Sequence, residues 1–211
     1  MKVFASSHEF DYSWDEVSIA NWSKYSPWND KSTHVIAVDT LNRNVDAKTG
    51  IVSGSKSLLF RSRRRLTPVK LRTERLITCK QSAPKWLNSF LGGQEMSHVY
   101  ETSYVDIKNR KVTMCSQNMT WNDLISVHEI VVYRPSESAP TSRTIFDQHA
   151  KIIALCGGWQ KIKNGIEEAT ASRFSENAKK GREGFEAVLK MSRKVFAMER
   201  EQRRMEEGMR A

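Results

Sequence analysis

Seven stretches of the chain read as β-strands, several of them apolar on one face and mixed on the other through the period of two that sends successive residues to opposite faces. They run Val3 to Phe10, His34 to Leu41, Thr73 to Lys80, His98 to Ile107, Lys111 to Thr120, Ile125 to Arg134 and Arg143 to Leu155. Asn109-Arg110 closes one pair tightly and Pro135 to Pro140 closes another with a longer loop, so sequential strands pair as an antiparallel meander. Two other stretches carry the 3.6-residue period. Tyr12 to Lys24 places Trp14, Val17, Ala20 and Trp22 among its apolar positions, with Asp11 or Ser13 as its cap. From Trp159 to about Glu207 the stripe is Ile162, Ile166, Phe174, Ala178, Phe185, Val188, Leu189 and Val195. At about 1.5 Å per residue this last helix spans on the order of 60 Å, longer than one domain, so Met191 to Ala211 is expected to run on as an exposed, mixed-charge extension. The pattern predicts an α+β fold.

In the last strand Phe146, Ala150, Ile152 and Ala154 oppose Asp147, His149 and Lys151, which predicts one face under cover and the other lining something less dry. Between the third and fourth strands, Ser82 to Gly93 opens at a proline and spaces Trp86, Leu87, Phe90 and Leu91 as one face of a short helix before closing on Gly92 and Gly93. It reads either as a crossover packed on the core or as a lid that covers a cavity or dips into a membrane.

Composition narrows the classes. With 211 residues, 39% hydrophobic content and six tryptophans, the chain can bury one ordinary core. No apolar run approaches the roughly 18 residues of a membrane-spanning helix. The net charge of +10 points to an anionic partner, but six of the cations (Lys56, Arg61, Arg63, Arg64, Arg65 and Lys70) crowd into Ser53 to Leu71, which contains no acid. That insert is expected to be a disordered excursion, either dispensable or a basic loop that docks on anionic membrane. Aromatic residues are not interleaved with it as a stacking platform requires, which disfavours the alternative of a basic RNA-binding globular protein. Cys79, Cys115 and Cys156 match no metal or redox spacing and read as buried thiols. The five histidines form no metal-ligand arrangement, and His128-Glu129 is merely adjacent on a strand. No nucleophile elbow, Walker loop or dinucleotide fingerprint is present, so no enzyme activity, cofactor or metal is expected.

Five ordered blocks carry a resemblance: FDYSWDEVSIANWSKY (Phe10 to Tyr25), STHVIAVD (Ser32 to Asp39), TERLITCKQSAPKW (Thr73 to Trp86), LGGQEMSHV (Leu91 to Val99) and RFSENAKKGREGF (Arg173 to Phe185). Over about residues 1–195 the chain resembles the PRELI-like (PRELI/slowmo) family, closest to its slowmo-type phosphatidylserine-transfer branch. It departs at Lys24-Tyr25-Ser26-Pro27-Trp28-Asn29, at Ala169 behind Glu167-Glu168, and in the insert.

The resemblance implies a curved antiparallel sheet of six or seven strands wrapped by helices around a lipid cavity, with 196–211 a charged helical extension. It implies a carrier of phosphatidylserine or phosphatidic acid between the outer and inner mitochondrial membranes, feeding phosphatidylethanolamine and cardiolipin homeostasis. Residence in the intermembrane space, a small helical twin-CX9C partner and transient contact with the membrane surface follow, with no nucleic acid.

Two acyl chains of some sixteen carbons, at ~0.8 kcal/mol per buried methylene, represent more than ~20 kcal/mol of membrane anchorage, so a carrier must offer comparable dry surface. The phosphate must be paired on entry. By the resemblance its lining is Arg75, Lys163, Glu167, Lys24 and His34, with Glu167 placed to meet a serine ammonium or to tune Lys163. Trp86, Leu87, Phe90, Leu91, Gly92 and Gly93 form the lid. From spacing alone, Lys163 and Glu167 read equally as a solvated i, i+4 pair, and Arg75 beside Glu74 as an exposed strand face. Charge reversal at Arg75 or Lys163 is expected to cost transfer and spare the fold.

Overall fold

The computed structural model describes residues 1–45, 70–80, 95–157 and 160–208. In chain order they form β1 (Lys2–Phe10), α1 (Trp14–Ala20), 3-10 turns at Asn21–Ser23 and Asp30–Ser32, β2 (Val35–Val45), β3 (Lys70–Lys80), β4 (Met96–Asp106), β5 (Lys111–Asn118), β6 (Ile125–Pro135), β7 (Thr144–Ala154) and α2 (Gln160–Gly208). Lys70 and Leu71 belong to β3 rather than to the insert; residues 53–69 of that insert, and the whole lid with Trp86, Leu87, Phe90, Leu91, Gly92 and Gly93, lie outside the described residues.

The seven strands make one open antiparallel sheet in the order β1-β7-β6-β5-β4-β3-β2. Phe10 on one edge strand and His34 just before the other line the same cavity. Six inter-strand steps of ~4.8 Å would hold them ~29 Å apart in a flat sheet, more than twice the ~10–12 Å width of a helix, so the sheet curls around α2. Its concave side carries the buried positions of β7 (Thr144, Phe146, Gln148, Ala150, Ile152 and Ala154), while His149 and Lys151 face solvent. One face therefore both covers the core and lines the cavity, contrary to the expected division between two faces. The pleat allows this because curvature closes the concave side only partly.

Ser13 caps α1 through a capping box with Glu16, as one of the two proposed caps. The helix stops at Ala20, short of Lys24, because buried Asn21 turns the chain into a 3-10 turn and donates its amide to Met114 Sδ at 3.5 Å. The larger core cluster joins Phe10, Trp14, Val17, Tyr133 and Phe146 to Phe185, Val188 and Leu189 of α2. Phe10 meets Phe185 edge-to-face at 5.5 Å between centroids, a geometry worth ~0.5–1.5 kcal/mol beyond area. A smaller cluster of Ile125, Ile152, Ala154 and Ile166 packs with Trp121 and Phe174 at the opposite end.

Arg193 fixes α2 where it leaves the core: it donates to both carboxylate oxygens of Glu16 at 2.8 and 3.1 Å and lies 4.0 Å over the Tyr12 ring. The Arg193 hydrogen bond holds the Glu16 carboxyl down at about 2. Beyond it Val195, Met198 and Met205 are exposed.

Two glycines of α2 have opposite surroundings. A Cβ at Gly184 would sit 2.8 Å from both Asn29 Oδ1 and Lys31 Cβ, whereas one at Gly181 meets nothing within 4 Å. Gly181→Ala should therefore raise stability by about 0.5–1 kcal/mol through helix propensity. Gly184→Ala should lower it by about 1–3 kcal/mol despite the same propensity gain. Urea titration of both variants tests the contrast, and equal midpoints would refute the close packing at Gly184.

Candidate functional site

The concave face is not uniformly apolar. Strand register sets Arg75 opposite Glu101, Glu101 opposite Ser116, and Ser116 opposite Glu129, a polar row running straight across β3, β4, β5 and β6. Arg75 donates to Glu101 Oε1 from Nε at 2.9 Å and from Nη2 at 2.5 Å, and both residues are only 4% exposed. The Arg75 guanidinium also lies 5.4 Å from the Trp22 ring, on which Arg43 stacks at 4.9 Å. Farther along the row, Ser116 donates to Glu129 Oε2 at 2.8 Å and Gln148 Nε2 donates to Oε1 at 2.5 Å.

Between this face and α2 lie two adjoining compartments that share Glu129, Phe174 and Asn177. The first, about 230 Å³, is bounded by Val99, Trp121, Leu124, Ile125, Val127 and Ile166, with Arg173 and Asn177 from α2. Cys79, Ser97 and His98 form the rim where β3 ends and β4 begins. Burial pushes the Cys79 thiol up to about 11, in keeping with an inert, buried cysteine; all three cysteines are free, and Cys115 and Cys156 are half-buried. Trp121 sits at φ +56°, in the left-handed region, and its buried indole N–H has no partner among the described residues. The second compartment, about 170 Å³, is lined by Lys24, Tyr25, His34, Tyr133, Gln148 and Arg182 together with core aromatics. Together the compartments reach the ~300–1,000 Å³ range of ligand sites.

Lys24 reaches this cavity because Asn29 Nδ2 bonds its carbonyl at 2.8 Å and holds the 3-10 turn against α2. Burial works against the Lys24 charge, but the acidic groups around it (Tyr25, Tyr133, Glu129 and Glu101) outweigh that and raise its pKa. Burial likewise lifts the Tyr25 phenol and pushes Tyr133 up to about 12. Both phenols are thus protonated at neutral pH, and the working counter-charges of Lys24 are Glu129 and Glu101. His34 is shifted the other way, first by burial and then by the positive charges of Lys24 and Lys180, so it is neutral at neutral pH.

Of the five lining residues expected, the structure brings Lys24 and His34 together in the polar compartment. Arg75 is on the same concave face, but its guanidinium is paired with Glu101, not exposed beside Glu74. Its burial overturns the expectation that reversing its charge spares the fold, since a carboxylate there would face Glu101 with no counter-ion. Lys163 is half-buried one turn before the apolar compartment and makes no ion pair among the described residues. Glu167 is buried and ties three elements: Oε1 accepts from the Ala154 N–H at 3.0 Å and Oε2 from the Met1 amine. Those two bonds, the amine's first, lower its pKa.

Glu129, Gln148, Arg173, Asn177 and Arg182 were not among the expected lining residues. The signal for Glu129 was the inward parity of β6, where Ile125, Val127, Val131 and Tyr133 interrupt their apolar series with one acid. Among the described residues no group of three His, Cys, Asp or Glu could hold a metal ion.

Residues 55–195 match a family described as PRELI-like. The chain is 43% identical to a protein named UPS2, mitochondrial, of Saccharomyces cerevisiae over 191 residues, 90% of this chain and 74% of that one. It is 39% identical to a UPS-like protein of Schizosaccharomyces pombe, covering 93% of this chain and 94% of that protein. A slowmo homolog of Dictyostelium discoideum is 28% identical over 185 residues, 86% of this chain and 68% of that protein.

The buried pair gives a sharp test of stability. Arg75→Ala and Glu101→Ala should each cost about 3–5 kcal/mol, because each strands a buried charge, while the double substitution should cost far less than their sum. A denaturation double-mutant cycle measures this, and additive losses would show that the pair is not a unit.

Proposed function

The chain belongs to the PRELI-like family, and on that premise we propose that it is an intermembrane carrier moving one anionic phospholipid, phosphatidylserine or phosphatidic acid, between the outer and inner mitochondrial membranes. The observation that carries this reading is the continuity of a dry compartment with a cation-bearing one inside a single cup. An amphiphile matches that sequence of surroundings: acyl carbon against Val99, Leu124, Ile125 and Ile166, and phosphate toward Lys24. No bond is made or broken, so these groups recognise and position. Inward-facing cations suit a small amphiphile better than an RNA backbone.

The mitochondrial name of the yeast relative supports that compartment. Residence in the intermembrane space, feeding phosphatidylethanolamine and cardiolipin homeostasis, is part of the proposal. So is transient docking on the membrane surface, with Trp86, Leu87, Phe90, Leu91, Gly92 and Gly93 as the contact. The chain enters and leaves that segment at Lys80 and Glu95, beside the rim of the apolar compartment. A small helical twin-CX9C protein is proposed as the partner that covers exposed apolar surface such as Ile36 and Ile130.

Native mass spectrometry of the purified protein should recover bound phosphatidylserine or phosphatidic acid, and the same protein should move these lipids between liposomes. Lys24→Met should lower that transfer about tenfold or more, since the phosphate then meets Glu129 without the Lys24 charge to offset it. Absence of any phospholipid, with no transfer above background, would overturn the carrier reading.

A further inference from the structure

We propose that Glu129, together with the side-chain carbonyl of Gln148, selects a phospholipid head group that carries an ammonium beside its phosphate. This assignment rests on the carrier reading above and specifies which anionic lipid the cavity prefers.

Glu129 is the single carboxylate, among the described residues, that lines either compartment, and it lines both. Glu101 is closed off behind Arg75, whose two N–H groups occupy one of its oxygens. Glu167 is occupied by the Met1 amine and the Ala154 N–H. Ser116 and Gln148 fix the Glu129 carboxylate with one hydrogen bond to each oxygen. Each oxygen keeps a further lone pair for a cationic donor.

A second observation stands beside it. Gln148 is 6% exposed, lines the polar compartment, and spends its amide N–H on Glu129, yet its Oε1 is buried with no hydrogen-bond partner among the described residues. Buried acceptors are ordinarily satisfied, and an ammonium brings three donors. It can bond Glu129 and Gln148 Oε1 together, which no group described at the site does.

Charge decides between the candidate lipids. The compartments offer Lys24, Arg173 and Arg182 against the single negative charge of Glu129. A bare phosphomonoester brings up to two negative charges, and Glu129 repels it in a poorly screened site. A phosphoserine head group brings phosphate and carboxylate for the cations and an ammonium for Glu129. The competing role, a plain counter-ion for Lys24, would act on every anionic lipid alike, so the ratio of two lipids separates the two.

The experiment is competitive transfer of phosphatidylserine and phosphatidic acid from the same donor liposomes by the wild-type protein and Glu129→Gln. The proposal expects the phosphatidylserine-to-phosphatidic-acid ratio to fall about tenfold. An unchanged ratio overturns it, whether both rates persist or fall together, and leaves the carrier reading intact. If Glu129→Gln is not folded by circular dichroism, Gln148→Met decides: a severalfold fall in the ratio supports the proposal and a constant ratio overturns it. A wild-type protein that moves neither lipid refutes the carrier reading and this assignment with it.

Discussion

One constraint organises the molecule: the concave face of a single sheet must supply a core and leave a hollow. A sheet that packed fully on α2 would have no cavity, and one that stood off along its length would have too little buried area to fold. The two hydrophobic clusters solve this by pinning α2 at separate places, through Phe185, Val188 and Leu189 at mid-helix and through Ile166 near its N-terminus. Between those pins the helix and sheet enclose the compartments instead of each other. The polar row from Arg75 to Glu129 crosses the sheet in this interval, where close apolar packing is not required.

Burying that row is costly unless its members satisfy one another. Arg75 and Glu101 do so by direct pairing, while Glu129 relies on neutral donors and on the field of Lys24. The two ends of the row consequently differ in character. The Arg75 end is closed, with Arg75 and Glu101 buried against each other and the Trp22 ring beside them. The Glu129 end retains an orphaned carbonyl on Gln148 and faces open volume, which makes it the responsive end.

Most of the architecture was legible in the chain because strands with one covered face advertise themselves by alternation, as β1 and β7 do most plainly. The stripe of α2 was equally plain, and Ser13 was one of the two caps expected for α1. Lys24 and His34 were legible as a pair only through the family blocks, since neither periodicity nor spacing relates a turn residue to the start of a strand eight or more positions on. The pairing of Arg75 with Glu101 was hidden for a different reason. It depends on the register of β3 against β4, strands joined by a long connection rather than a tight turn that would fix their register, so the local neighbour Glu74 looked the natural partner. Glu129 was masked by its neighbour, because a His-Glu dipeptide draws attention as chemistry while β6 sends the two side chains to opposite faces.

The bond from Asn29 to the Lys24 carbonyl, under the bare backbone of Gly184, has a mechanical meaning. Lys24 is held in the reference frame of α2, as Arg173 is, whereas Glu101 and Glu129 are held in the frame of the sheet. The cavity's cations Lys24 and Arg173 and its carboxylate Glu129 thus sit on opposite jaws of a caliper. Coulomb attraction falls with the gap between the jaws, so any widening that admits a bulky guest also weakens the internal ion pairing and frees cationic charge for it. Spacing and charge availability are one variable in this fold, and a guest that pries the helix from the sheet meets a site that becomes more receptive to anions as it opens.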